Sequence, residues 1–240
     1  MSAEMLFRAD PYLREAAATV MAHTDEGGVV LDRTVFYPTG GGQPGDSGLV
    51  RWQDASMPVA TTLKGPDDTI VLVPARAQAL PEVGQQVHQE LDWDRRHRHM
   101  RVHTALHLLS VAVPFGVTGG SISAQHGRLD FDMAEPPEDK SAIDALLQEM
   151  VATDAVVSET WISDAELDAQ PELVKTMSVK PPCGAGRIRL IRIGDAADPL
   201  DLQPCGGTHV ARLGEIGALR IGKTEKKGRM NRRIYLHLDS

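Results

Sequence analysis

The strongest chemical signal in this 240-residue chain comes from two short motifs, His103-Thr-Ala-Leu-His107 and Cys205-Gly-Gly-Thr-His209. Residues four apart on a helix lie one turn above each other, so both imidazoles of the first motif can reach one metal ion. In the second motif Gly206 and Gly207 let the backbone turn tightly enough to bring a thiolate and an imidazole to one point. Nitrogen and sulfur ligands together suit zinc, whereas calcium and magnesium want oxygen. His99 stands four residues before His103, so His99/His103 offers the same geometry as His103/His107, and spacing does not choose between them. Neither pair encloses a glutamate directly after its first histidine, which removes ordinary zinc-peptidase chemistry.

Three further stretches could bear on a ligand. Residues 36–48 (FYPTGGGQPGDSG) hold five glycines between Gly40 and Gly48. Such a loop can present backbone N–H groups to a phosphate or ribose, or serve as a plain hairpin turn, and it matches neither the P-loop nor the dinucleotide fingerprint. In RLDFD, Arg128 and Asp130 would share one face of a strand, lining a pocket or forming a salt-bridged strand edge. Residues 220–233 carry Arg220, Lys223, Lys226, Lys227, Arg229, Arg232 and Arg233 against the single acid Glu225, with Gly228 marking a turn. Cys183, in PPCGAGR, reads as an incidental or buried thiol near a turn.

The elements that would position these groups follow from pattern. Gly28 to Tyr37 and Thr69 to Pro74 are β-branched runs in a Gly- and Pro-rich region, the signature of a small antiparallel β domain. From Trp93 the composition becomes basic and histidine-rich, which places a domain boundary there: residues 1–93, then 94–240. Val102, Ala105, Leu106, Leu109 and Val113 form an apolar helical stripe, with His103 and His107 on the neighbouring face. Ile143, Leu146, Leu147, Met150 and Val151 predict a second buried helix, and Ser163 with Glu166 forms a capping box ahead of a short third one, soon ended by Pro171. Strands are expected at 187–193, 218–221 and 233–238.

Composition bounds the function. The chain is 42% hydrophobic with a net charge of -8, which argues against coating nucleic acid through a general positive field but leaves room for a local basic patch. No run of about 18 apolar residues predicts a membrane span, and the N-terminal stretch carries acids where a signal peptide needs basic and apolar residues. Two cysteines are too few for a disulfide scaffold, so the expected compartment is the reducing cytoplasm.

With FYPTGGGQPGDSG (36–48), RVHTALHLL (101–109), RLDFD (128–132), CGGTHV (205–210), EIG (215–217) and KGRMNRRI (227–234) in that order, the chain resembles the alanyl-tRNA synthetase editing domain and its free-standing AlaX relatives along nearly its whole length. The resemblance implies an α+β fold: an N-terminal β-barrel-like domain carrying the GGGQ loop, then an α+β editing domain. It also implies zinc held by His103, His107, Cys205 and His209. The implied activity is hydrolysis, in trans, of alanine tRNA mischarged with serine, or with glycine. No adenylating domain fits in this length, and no obligate protein partner is evident. One departure is Leu106, where synthetase editing domains often carry Thr before the second zinc histidine.

For ester hydrolysis the pocket needs an activated water and a stabilised oxyanion, with zinc either activating the water or ordering the pocket. Thr104, Arg128, Asp130 and Thr208 are the pocket candidates. Gly41, Gly42, Gln43, Lys227, Arg232 and Arg233 are the candidates for tRNA contact. The rival class is a zinc-stabilised RNA-binding module without catalysis; a third reading is a zinc hydrolase of small esters or amides.

Overall fold

The computed structural model describes residues 3–177 and 186–239, so Cys183 lies outside the described residues. In chain order the elements are β1 (Glu4–Met5), α1 (Leu6–Ala9), β2 (Glu15–His23), β3 (Val29–Leu31), β4 (Arg33–Thr34), β5 (Gly48–Trp52), β6 (Ala55–Lys64), β7 (Ile70–Pro74), β8 (Gln86–Leu91), α2 (Trp93–Ala112), β9 (Val117–Ile122), β10 (His126–Asp132), α3 (Lys140–Ala152), β11 (Val157–Ile162), α4 (Asp164–Asp168), β12 (Ile188–Gly194), β13 (Pro199–Pro204), β14 (Leu219–Gly228) and β15 (Asn231–Leu238). The chain divides into two compact units within α2, one ending at Arg98 and the other beginning at His99. Among the described residues, no helix is long and apolar enough to cross a membrane.

In the first unit β2-β3-β7-β6-β5-β8 close into a barrel. Alternate side chains of a strand point to opposite faces, and one set fills the interior: Val20, Val29, Leu31, Val50, Met57, Val59, Ile70, Leu72 and Val87 are all buried. The β-branched runs of the sequence thus become barrel staves, and the barrel-like expectation holds. A buried ion pair ties the loop after β4 to the start of α2. Arg96 donates from Nε to both oxygens of Asp46 at 3.1 and 2.9 Å and from Nη2 to Asp46 and the carbonyl of Val35. Asp46 in turn accepts from the backbone of Tyr37 at 2.6 Å.

The second unit carries two antiparallel sheets, ordered β14-β15-β10-β9 and β11-β12-β13. On the first, α3 is pinned to β14 by Asp144, which accepts from the backbone of Ile221 at 2.5 Å, and by Gln148, which donates to the carbonyl of Leu219 at 2.5 Å. Asp139 caps its N-terminus through the backbone N–H of Ala142. The capping box at α4 is complete, with Ser163 N donating to Glu166 and Glu166 N to Ser163 Oγ.

One expectation needs revision. The strand expected at 218–221 continues to Gly228 and forms a long hairpin with β15, because its charged residues alternate between faces without the apolar period that marks a strand. The helix through the histidines carries the expected apolar stripe, and its burial goes further: Val102 to Ser110 are all buried. Its polar face is covered as fully as its apolar one, which requires every polar group there to find a partner.

Candidate metal centre

The two motifs meet in the second unit. One ligand atom from each of His103, His107, Cys205 and His209 lies within 4.8 Å of all the others, and His99 stands outside this cluster. Cys205 Sγ is 3.4 Å from His103 Nε2 and 3.3 Å from His209 Nε2. The donor set, three imidazoles and one thiol converging on a point, fits zinc or another borderline-soft cation.

The hydrogen bonds behind the cluster set the tautomers. A carboxylate only accepts, so the contact of 2.9 Å between His107 Nδ1 and Asp201 Oδ2 puts the proton on Nδ1 and leaves Nε2 for the centre. Thr104 gives its one hydroxyl proton to the carbonyl of Met100 at 2.9 Å, so at 3.1 Å it accepts from His209 Nδ1 and frees that ring's Nε2 as well. Asp201 is itself held by Lys175 at 2.6 Å and Gln203 at 2.8 Å. Partners of this kind fix ring orientation, and behind metal ligands they also raise ligand basicity.

Protonation leans the same way. Burial favours the neutral thiol of Cys205, yet the adjacent His103 and His209 outweigh it and hold the group well below the ordinary thiol range. Burial and the neighbouring His103 push His209 down to about 3. For His107 burial also works against charge, but Asp201 and Cys205 outweigh it and push the ring up to about 9, while Asp201, despite its own burial, is drawn down to about 2 by His107 and Lys175. His107 thus lies between the Asp201 carboxylate and Cys205, surroundings that favour positive charge, which a divalent cation would supply.

The Cys-Gly-Gly-Thr-His loop is clamped by Arg189 on β12. Its Nη1 donates to the carbonyls of Cys205 at 2.9 Å and Gly207 at 3.0 Å, and its Nε is held by Glu159 on β11 at 2.5 Å. Arg189, Asp201, Lys175 and Gln203 escaped the sequence reading; in sequence none stands out from any other polar residue. Asp201 and Gln203 alternate on β13 just before Cys205, a buried polar spacing that would have been the available signal.

The other candidates disperse. Thr104 is spent on orienting His209 and the loop, where Val210 N also donates to it at 3.3 Å. Thr208 is buried within the same loop. Leu106 faces the sheet: a Cβ on Gly127 of β10 would sit 2.9 Å from its Cδ1. Arg128 and Asp130 bond each other at 2.8 Å, and Arg233 reaches across from β15 to clasp Asp130 at 2.7 and 3.0 Å. Lys227 pairs with Glu225 at 3.1 Å, and Arg232 is buried, with Nη1 on the carbonyls of Gly228 and Asn231. In the first unit Gly40 and Gln43 exchange backbone bonds of 3.0 and 2.9 Å around Gly41 and Gly42, whose φ of 56° and 81° make a tight turn of the kind glycine favours. The two glycines are exposed at its tip, whereas Gln43 is buried.

Comparison with known proteins places this geometry. Residues 188–235, which hold the CGGTH loop and the β14–β15 hairpin, match the family described as threonyl and alanyl tRNA synthetase second additional domain, and residues 11–95 match tRNA synthetases class II (A). The chain is 34% identical to the alanyl-tRNA editing protein AlaX-M of Methanosarcina acetivorans, over 98% of both chains. It is 31% identical to AlaX-L of Pyrococcus horikoshii over 94% of this chain and 55% of that protein. It is also 34% identical to the alanine–tRNA ligase of Pyrobaculum arsenaticum, over 92% of this chain and 25% of the ligase.

Proposed function

The chain belongs to the AlaX family of alanyl-tRNA editing proteins, and from that premise we propose that it hydrolyses the ester of alanine tRNA mischarged with serine, with glycine as a second substrate. The observation that carries the reading is the set of three buried imidazoles, His103, His107 and His209, converging with the partly exposed Cys205, two of the rings turned inward by Asp201 and Thr104. We take zinc to be the resident ion, held by these four side chains. When bound, it would supply Lewis acidity to the pocket.

The chain's own residues have three tasks in this scheme. Asp201, backed by Lys175 and Gln203, keeps His107 in one tautomer and one orientation. Thr104 does the same for His209 and, through Val210, fixes the end of the loop. Arg189 holds the carbonyls of Cys205 and Gly207, so the loop keeps its shape when a substrate displaces water from it. The reaction itself adds water across the ester and releases free amino acid and intact tRNA. We place this work in the cytoplasm, where charged tRNA is used.

Deacylation of serine-charged alanine tRNA tests the proposal, with correctly charged alanine tRNA and Cys205→Ala as controls. Selective loss of serine, abolished in the variant, is expected. Folded, zinc-loaded protein that leaves the serine ester intact would overturn the assignment in favour of a binding module.

A further inference from the structure

The basic run at 220–233 becomes the β14–β15 hairpin, and the fold sorts its charges by face. On one face the cations are compensated: Lys223 and Lys227 pair with Glu225 at 2.5 and 3.1 Å, and Arg233 pairs with Asp130. On the other face, Thr224, Lys226 and Arg232 line a cleft of about 370 Å³ together with Lys140, the first residue of α3, and Glu135, Pro136 and Pro137. Lys226 and Arg232 are direct cross-strand partners. Among the described residues no carboxylate lies within 4.0 Å of Lys140 or Lys226. The nearest acid to Arg232 is Glu135, at 4.0 Å with its side chain 87% exposed. Arg232 is a built element, its side chain 4% exposed and fixed through Nη1 by two carbonyls. Thr224 Oγ1 adds a buried hydroxyl that has no hydrogen-bond partner among the described residues.

We infer that this cleft is a phosphate subsite that seats a backbone phosphodiester of the RNA, with Lys140, Lys226 and Arg232 supplying charge and Thr224 a hydroxyl donor. The choice of RNA as the source of the phosphate rests on the editing reading above; the anionic chemistry of the cleft does not. The cations that face it are therefore Lys140, Lys226 and Arg232, and neither Lys227 nor Arg233 belongs to it.

The test is anisotropy of fluorescently labelled, uncharged alanine tRNA against the full chain across a salt series. Lys140→Ala and Lys226→Ala are the variants, and Lys223→Ala, on the compensated face, is the control. Each cleft variant is expected to flatten the dependence of log affinity on log salt by about one unit. The gap to wild type then widens about fourfold as salt falls from about 200 to about 50 mM. Lys223→Ala should follow wild type. Wild-type slopes in both cleft variants would overturn the proposal. So would a melting temperature raised by inorganic phosphate in wild type but not in Lys226→Ala, with tRNA binding unaltered, since the cleft would then serve free phosphate. Deacylation of the serine ester is scored separately: unchanged slopes with intact deacylation sink the cleft alone, and altered slopes with no deacylation sink the editing assignment alone.

Discussion

His107 Nδ1 lies 2.9 Å from Asp201 Oδ2, and the Asp201 side chain is wholly buried. The carboxylate thereby decides which nitrogen of His107 faces His103, Cys205 and His209. Replacing it with Asn keeps the shape and an accepting oxygen but removes the charge that raises the ring's basicity. Asp201→Asn is expected to weaken zinc binding by about tenfold or more, since outer partners of this kind are worth about 10- to 100-fold. Competition with a chromogenic chelator at fixed pH measures it, with circular dichroism to confirm the fold; wild-type affinity in the variant would deny Asp201 this role.

Arg96 and Asp46 form the polar anchor of the first unit. Both side chains are at most 1% exposed, and the guanidinium also donates to the carbonyls of Pro11 and Val35. Arg96→Ala leaves a buried carboxylate and two carbonyls without their partner, a loss of about 3–5 kcal/mol. Urea unfolding should show the midpoint falling sharply, while Arg51→Ala, at an exposed pair with Glu90, shifts it little. A small shift for Arg96→Ala would mean that water or a rearranged loop replaces the guanidinium.

What the sequence could and could not disclose divides along physical lines. The histidines on α2 and the CGGTH loop were legible because ligand chemistry restricts both residue type and spacing. The choice between His99 and His107 was not, since a helix repeats its geometry every turn and only the position of Cys205 and His209 breaks the tie. Apolar periodicity foretold α3 and four residues of its buried face, though Leu146, expected on that face, is exposed, and the Ser163/Glu166 spacing foretold α4. The basic hairpin was half seen, with its turn marked by Gly228 but its strand hidden by alternating charges that carry no apolar period. Most opaque was the polar scaffold, because Arg96, Arg189 and Asp201 gain meaning only from partners 50, 16 and 94 residues away in the chain.

Gly127 is where the sheet meets the ligand-bearing helix. A Cβ there would lie 2.7 Å from Val102 Cγ1 and 2.9 Å from Leu106 Cδ1, on the residues that directly precede His103 and His107. Both side chains are buried and cannot swing away. Gly127→Ala should therefore cost about 1–3 kcal/mol through overpacking and lower zinc affinity as well, by shifting the turn that carries the imidazoles. Thermal melts of the metal-free and zinc-loaded protein separate the two effects. A drop in stability equal in both forms would confine the damage to packing.

Asp130 sits between Arg128 and Arg233, and burial would raise its pKa, yet the bonds from Arg233 and Arg128 outweigh that and hold it below the usual carboxylate value. A carboxylate depressed in the folded state contributes stability above its unfolded pKa of about 3.9 and loses that contribution as pH falls through the lower folded value. The stabilisation should thus be complete near neutrality and fade only in acid. Asp130→Asn removes the titrating group, so the variant should melt below wild type at pH 6 and the gap should close as pH drops below about 4. Melting curves of both proteins across that range are the measurement. A gap that stays constant into strong acid would show that the three residues are held by shape and hydrogen bonding, with the charge of Asp130 contributing nothing.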